Sequence, residues 1–192
     1  MTDKLIPTAS ATVGPYFHIG LTWLNHTEMA TAATAGQKIV ITGRVVDGNG
    51  DAIPDAMIEL WQANAAGRYD HPEDTRQDKP VDASFHGYGR SPTDNDGFFR
   101  FTTVKPGPVP GPGNTLQAPH IVVALFMRGL LKHAYTRIYF ADEAQANAAD
   151  PILGLIEDEG RRATLLAKPG ANGEYRWDIV MQGADETVFF DV

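Results

Sequence analysis

Short segments in which apolar and polar residues alternate dominate the chain from residue 36 to residue 192. The clearest are 98–104, where Phe99 and Phe101 fall on one face, and the β-branched run 39–46. Successive side chains of a strand point to opposite faces, so this pattern predicts strands with one buried face. Further strands are predicted at 57–62, 120–126, 134–140, 175–182 and 187–192. About seven short strands predict an all-β fold, an antiparallel β-sandwich.

Turn residues separate these segments. Residues 47–51 and 93–97 are rich in Gly, Asn and Asp, which accept the backbone angles of tight turns at low cost. Only one or two short helices are predicted: one over 143–149, capped by Asp142, and one turn within 160–168. Residues 63–92 are polar and irregular, and a connection of this length is expected to be functional or docked on a neighbour.

The first 35 residues lack this alternation. Pro7, Gly14, Pro15 and Gly20 interrupt them, which predicts an extended N-terminal arm that is either mobile or held by docking. The chain is therefore divided into an arm, residues 1–35, and one sandwich domain, residues 36–192. No internal repeat or second domain is indicated.

Charge and composition exclude several classes of protein. The net charge of −8 and the lack of a basic face exclude a nucleic-acid binder. The chain has no cysteine, which excludes disulfides, iron–sulfur clusters, thiolate zinc sites and cysteine nucleophiles. The first residues lack the apolar core of a signal peptide, and no apolar run approaches the roughly 20 residues of a membrane span. The expected compartment is the cytoplasm.

Common catalytic motifs are absent. The sequence has no P-loop, no glycine-rich dinucleotide fingerprint and no G-x-S-x-G elbow. The six histidines show neither the H-x-H nor the H-x-x-x-H spacing of common metal sites; they are His18, His26, His71, His86, His120 and His133. Motifs alone therefore give no complete active site.

Three longer patterns together resemble a known family. Residues 43–63 form a G-R-V-V-D to E-L-W-Q-A hairpin, and residues 64–69 read N-x-x-G-x-Y. Residues 93–107 read T-D-N-D-G-F-F-R-F-T-T-V-K-P-G. These patterns are similar to those of the intradiol dioxygenases, and the last is the most specific. The resemblance implies an intradiol-type β-sandwich.

Catalytic members of that family hold Fe(III) with two tyrosines and two histidines. Anionic phenolates and imidazoles suit ferric iron, which acts on a bound catechol as Lewis acid and template. Here Tyr69 and His120 match ligand positions, whereas Val109 and Val122 stand where the second tyrosine and the second histidine are expected. The two histidines lie in the family's R-P-A-H-I-H motif, which reads Q-A-P-H-I-V at residues 117–122, so Gln117 also replaces an arginine. Valine cannot ligate a metal, so the four are vestigial ligand positions, and this chain is expected to hold no metal and no catalytic residue.

The pattern of loss resembles the iron-free chain of two-chain members of the family. The stretch 12–20 carries that chain's T-x-G-P-Y-x-H-I-G pattern. The resemblance implies a homologous, iron-binding partner subunit on which the arm packs. Gly14, Pro15 and Tyr16 are then expected to line the partner's pocket, with Arg128 matching a substrate carboxylate. The plainer alternatives are a turn at Gly14–Pro15 and a structural salt bridge at Arg128.

Two other interpretations stay open from the sequence. The hairpin also resembles transthyretin-like and carboxypeptidase-regulatory modules, which would make the chain a binding or structural protein. A self-sufficient dioxygenase would need His71, His86 and His133 to replace the missing ligands.

Overall fold

A computed structural model describes residues 8–191. Three short helices lie at α1 (Tyr16–Ile19), α2 (Ala144–Ala149) and α3 (Glu159–Ala163), with single 3₁₀ turns at Thr22–Leu24, Leu153–Leu155 and Ala171–Gly173. None of the helices in residues 8–191 is long or apolar enough to cross a lipid bilayer. The strands are β1 (Lys38–Val46), β2 (Met57–Trp61), β3 (Tyr88–Pro92), β4 (Phe98–Val104), β5 (Val109–Pro110), β6 (Leu116–Gln117), β7 (His120–Phe126), β8 (Ala134–Phe140), β9 (Leu166–Pro169), β10 (Glu174–Arg176) and β11 (Ile179–Val180).

The predicted all-β sandwich is confirmed. Nine strands belong to one hydrogen-bonded sheet in the order β11, β1, β10, β9, β8, β7, β2 and β3, with β4 also paired to β1, while β5 and β6 form a separate ribbon. Most pairs are antiparallel, but β1 pairs in parallel with β10 and β11, and β8 pairs in parallel with β9. The predicted antiparallel β-sandwich thus contains three parallel pairs that the sequence did not indicate. Residues 141–165, which contain α2 and α3, form a crossover between β8 and β9, and such a connection allows parallel pairing.

One core fills the space between the two halves of the sheet. Ile39 and Ile41 of β1 are fully buried, and so are Phe101 of β4 and the alternate residues Ile121 and Val123 of β7. The antiparallel register places Ile41 opposite Phe101. The predicted alternation of β4 is therefore confirmed, with both Phe99 and Phe101 in the core.

Three predicted segments differ from the structure. The connection 63–92 ends in a strand, β3, because 88–92 pairs with β2. The predicted strand 187–192 makes only a single bridge, Tyr135 with Phe190, in the described part, and Val192 lies outside the described residues. The predicted strand 175–182 is divided into β10 and β11, with Trp177 and Asp178 between them. The single helical turn predicted within 160–168 is confirmed as α3, and Leu166 then begins β9.

The cap of α2 also differs from the prediction. Glu143 occupies the N-cap position without a capping hydrogen bond from its side chain. Asp142 does not cap the helix, because its carboxylate accepts hydrogen bonds from Lys105 Nζ and Tyr175 Oη, each at 2.8 Å. This carboxylate ties the helix to the turn after β4.

The predicted arm is only partly extended. Residues 1–7 lie outside the described residues, and α1 and a 3₁₀ turn interrupt the rest. Its last part lies along the chain's own sheet: the His26 amide donates to the Arg90 carbonyl at 2.8 Å, and the Met29 amide donates to the Thr102 carbonyl at 2.8 Å. Met29 is buried in the core.

Candidate functional site

The vestigial position Val122 lies on the outer face of the sheet. The register places it between Trp61 of β2 and Arg137 of β8. Cross-strand partners point to the same side of a sheet, so the three side chains are neighbours. Ile121 and Val123, which flank Val122 in the chain, point into the core, so the Val122 side chain points outward.

Tyr69 is brought to this face by the turn that follows β2. The Asn64 side chain accepts hydrogen bonds from the amides of Ala66 and Arg68, each at 3.0 Å, and closes the turn. Gly67 has φ of +83°, and a Cβ there would lie 2.1 Å from the Pro108 carbonyl oxygen, so glycine is required. The Tyr69 ring then stacks on Trp61, with centroids 5.9 Å apart and planes 11° from parallel.

A pocket of 440 Å³ opens between this turn and strand β5. Tyr69 and Val109 both line it, together with Trp61 and Gln117. The structure therefore brings two of the four predicted ligand positions to one pocket wall. Burial raises the pKa of the Tyr69 phenol, with an opposing effect from the positive charge of Arg137. The phenol is thus protonated at neutral pH.

His120 is held on the same strand face as Val122, two residues before it. Its ring is 4% exposed and lies against Tyr139 with centroids 5.6 Å apart. Nδ1 lies 2.8 Å from the Ala118 carbonyl oxygen, and since a carbonyl only accepts, Nδ1 carries the proton and donates. Burial lowers the pKa of His120 to about 4, so the ring is neutral at pH 7. The imidazole thus keeps a free lone pair on Nε2.

Arg137 is a member of this site that the sequence reasoning missed. Its Nη1 donates to Gln117 Oε1 at 2.7 Å and to the Tyr139 hydroxyl at 3.3 Å. The Tyr139 hydroxyl donates in turn to Asp150 Oδ1 at 3.3 Å. A guanidinium therefore stands beside Gln117, the position that has lost an arginine relative to the family pattern. An arginine at the centre of the predicted strand 134–140 was the signal available in the sequence.

These residues do not fit a ferric ion. Tyr69 and His120 supply two donor atoms, but Val109 and Val122 offer only alkyl groups. Arg137 adds a fixed positive charge that acts on both Tyr69 and His120, and a cation there disfavours a bound Fe(III). Residues 8–191 also contain no group of three His, Cys, Asp or Glu side chains that could hold a metal.

The three histidines considered as replacement ligands do not converge. The His71 ring stands edge-on to Trp61 at the pocket, with centroids 6.3 Å apart. His86 pairs with Asp70 at 2.6 Å, and His133 lies between the rings of Phe126 and Tyr135. A replacement ligand set of His71, His86 and His133 is therefore not assembled.

The other predicted positions meet at the opposite end of β7. The Thr12 hydroxyl donates to the Met127 carbonyl at 3.3 Å and accepts from the Gly129 amide at 3.0 Å. These bonds place the arm, with Gly14, Pro15 and Tyr16, beside the turn that carries Arg128.

The predicted residues of this region are exposed. Tyr16 is 79% exposed. The Arg128 side chain is 70% exposed and forms an ion pair with Asp55, so the salt bridge considered from the sequence does exist. The described cluster is therefore open to solvent.

A family model described as Dioxygenase matches residues 12–183. The chain belongs to the intradiol dioxygenase family. This membership decides against a transthyretin-like or carboxypeptidase-regulatory module. As an intradiol dioxygenase chain it belongs to an iron-dependent family of oxidoreductases, although only two of the four ligand positions, Tyr69 and His120, keep a residue that could bind a metal.

Two relatives and one solved structure show how far the similarity of this intradiol dioxygenase chain extends. It is 44% identical over 96% of its length to the protocatechuate 3,4-dioxygenase alpha chain of Burkholderia cepacia, covering 97% of that protein. It is 34% identical to the beta chain from the same organism, with coverage of 97% of this chain and 81% of that one. The dioxygenase domain of a carbohydrate-binding fusion protein from Streptomyces sp. SirexAA-E superimposes with a TM-score of 0.60 at 25% identity, covering 83% and 89% of the two chains.

Proposed function

We propose that this chain is the iron-free alpha subunit of a protocatechuate 3,4-dioxygenase. The enzyme cleaves protocatechuate with O2 between the two hydroxyl-bearing carbons to give 3-carboxy-cis,cis-muconate in aromatic degradation. The chain acts beside a homologous beta subunit that holds Fe(III), in αβ units of a larger oligomer, and is inactive alone. The proposed compartment is the cytoplasm.

One observation carries this proposal. The chain is 44% identical to an alpha chain and 34% identical to the beta chain of the same organism, over nearly its full length in both cases. The substitutions at Val109 and Val122 agree with this difference, because they remove one tyrosine and one histidine of the four ligands of the iron-bearing members.

Exposed apolar side chains support a partner on the arm side. Tyr16, Ile19 and Trp23 are 79%, 70% and 76% exposed, respectively. Large apolar groups gathered in one short segment are costly to leave in water, and such patches mark interfaces. We propose that the beta subunit covers this segment and that the arm packs on it, except for its last part, residues 26–30, which lies on the chain's own sheet.

The same cluster supplies groups to the partner's pocket under this proposal. A Cβ added at Gly14 would meet no atom within 4 Å, so the backbone there is open to close approach by a ligand or by the partner. Pro15 fixes the direction of the chain at the start of α1. Tyr16 lines the rim, and Arg128 offers a planar guanidinium to the carboxylate of protocatechuate. Bound iron supplies Lewis-acid activation of the catechol in the partner; this chain's groups bind and orient.

Copurification and metal analysis test the proposal. The chain is coexpressed with its beta homologue, captured through a tag on this chain, and measured by native mass spectrometry and iron analysis. We expect equal amounts of two chains, one iron per pair, and protocatechuate cleavage. Iron and activity in the tagged chain alone would contradict the proposal, as would an assembly without a second chain.

A further inference from the structure

An acidic side chain lies beside Arg128, just beyond the paired ends of β2 and β7. Met57 and Phe126 form the last pair of that antiparallel ladder, and Asp55 and Arg128 lie two residues further on in the adjoining turns. The Asp55 carboxylate accepts a hydrogen bond from Arg128 Nε. The strand pairing therefore brings the two turns together at one end of the sheet, where the ion pair forms.

The two partners of this ion pair differ in their freedom. The Asp55 side chain is 22% exposed, whereas the Arg128 side chain is 70% exposed. Asp55 directly follows Pro54 in the turn before β2, and the Arg128 turn is held by Thr12 through the Met127 carbonyl and the Gly129 amide. The backbone on both sides is thus fixed, and Asp55 is the better-held partner.

The contact uses only one edge of the guanidinium. Arg128 Nε is engaged by Asp55, while Nη1 and Nη2 make no hydrogen bond to any residue between 8 and 191. A guanidinium carries five donors in a planar fork, so an outward edge stays available to a carboxylate. Without Asp55 the long side chain would sample many rotamers, and ordering it would weaken ligand binding.

We propose that Asp55 is a positioning residue that orients Arg128 for recognition of a substrate carboxylate. The inference rests on the proposed function, since it gives Arg128 its place at the partner's pocket. Asp55 does not contact the substrate; it fixes the direction of the free guanidinium edge. Asp55 is therefore expected to affect the binding of catechols that carry a carboxylate and to leave the binding of catechol itself unchanged.

The test compares two substrates on the purified αβ complex. KM and kcat are measured for protocatechuate and for catechol, which has no carboxylate. Asp55→Ala should raise KM for protocatechuate about threefold to tenfold with kcat retained, and leave the catechol constants unchanged. Asp55→Asn keeps an oxygen acceptor for Nε and should show a KM for protocatechuate at or below that of the wild type.

Three further variants separate the possible outcomes. Arg128→Ala should raise KM for protocatechuate at least as far, and Asp55→Ala should add nothing in that background. Glu28→Ala removes an exposed ion pair of similar type, with Arg100 at 3.0 Å, and should change neither substrate. If Arg128→Ala leaves KM unchanged, Arg128 has no role at the pocket and the proposed site is wrong as well. If only Asp55→Ala is without effect, or if it changes both substrates equally, the role of Asp55 alone is refuted.

Discussion

At the scale of single residues, the former ligand positions are kept in order by ordinary hydrogen bonds and ring contacts. Tyr69 is stacked on Trp61, and His120 donates to the Ala118 carbonyl. Both are residues with a perturbed pKa in or near a pocket, a pattern that often marks catalysis. Here the main cause of both shifts is burial.

Acid should destabilise the fold through His120. Its pKa in the folded chain is lowered to about 4 from an ordinary value of 6.5, so the unfolded chain binds a proton at a pH where the folded chain does not. Above pH 6.5 the His120 ring is neutral in both states and costs the folded chain no stability. As the pH falls towards 4, protonation of the unfolded chain lowers the free energy of unfolding, by roughly 2 kcal/mol between pH 7.5 and 5. Thermal denaturation of the αβ complex at both pH values measures this loss.

His120→Gln supplies the control for that prediction. Its side-chain amide still donates to the Ala118 carbonyl but does not titrate, so the variant should lose less stability between pH 7.5 and 5. Equal pH dependence in the two proteins would show that another group takes up the proton.

The sequence located the vestigial residues but not their new neighbour. Tyr69 and Val109 could be placed because the N-x-x-G-x-Y and K-P-G patterns are local. The role of Arg137 depends on which residue of β7 it opposes, and a register shift of one residue would turn it to the other face. Its hydrogen bond to Gln117 could not be read from either segment alone.

At the scale of elements, a buried lysine joins the turn after β4 to helix α2. Lys105 Nζ lies 2.8 Å from Asp142 and 2.6 Å from Glu143, and its side chain is only 11% exposed. It also lies over the Phe140 ring, 5.2 Å from the centroid. Burial would lower the pKa of Lys105, but the hydrogen bonds that its ammonium donates to the two carboxylates outweigh it and raise the pKa.

Lys105→Met should therefore destabilise the chain by about 1–3 kcal/mol, because two carboxylates lose their cation; their partial exposure keeps the loss below that of a fully buried pair. Lys132→Met is the matched control. Its pair with Asp191 spans 3.8 Å with side chains 79% and 99% exposed, and its loss should change stability by less than about 0.5 kcal/mol. Denaturant unfolding of the three proteins compares them, and equal midpoints would contradict the prediction.

The N-terminal arm should become more mobile when the hydrogen bonds of the Thr12 hydroxyl, here called the clasp, are removed. Thr12→Val keeps the shape of the side chain but deletes the hydroxyl that accepts from the Gly129 amide. We expect exchange of that amide to become roughly fivefold faster. Hydrogen-exchange mass spectrometry of the peptide containing Gly129 measures it. Thr8→Val should leave the exchange unchanged, and a similar rise in both variants would show that the clasp is not specific.

Local pattern predicted the strands of the core well and the ends of the chain less well. Residues 98–104 alternate, and β4 has those bounds. Residues 88–92 carry glycine, arginine and proline, so β3 depends on pairing with β2 and has no strand pattern of its own. The arm was predicted as extended because α1 is only four residues long, too short for a helical period.

At the scale of the whole molecule, the described chain has a well-filled core beside an uncovered apolar segment. Tyr16, Ile19 and Trp23 lie on that segment. On the proposed function, the isolated chain should self-associate in solution, and the beta subunit should suppress this. Sedimentation of the chain alone and of the complex measures the difference; a stable monomer would count against an obligate partner.

Trp23 offers a direct probe of the covered surface. It is 76% exposed in this chain, whereas Trp177 is 3% exposed. In the αβ complex, the fluorescence of Trp23 should be protected from acrylamide, because the partner covers the arm. Subtracting the fluorescence of the complex that carries Trp23→Phe gives the fluorescence of Trp23 alone. If acrylamide quenches that fluorescence as it would an exposed tryptophan, the arm faces solvent in the complex.

The hydrogen bonds around Arg137 bear on how far the proposed αβ assembly depends on iron. Arg137, Gln117, Tyr139 and Asp150 hold the pocket with contacts that form during folding, without uptake of an ion. On the proposed function, the activity of a pair of homologous chains depends on the iron held by the beta subunit. Under this proposal the folding of this chain does not depend on the iron supply, so iron starvation should lower the iron content of the partner and leave this chain folded.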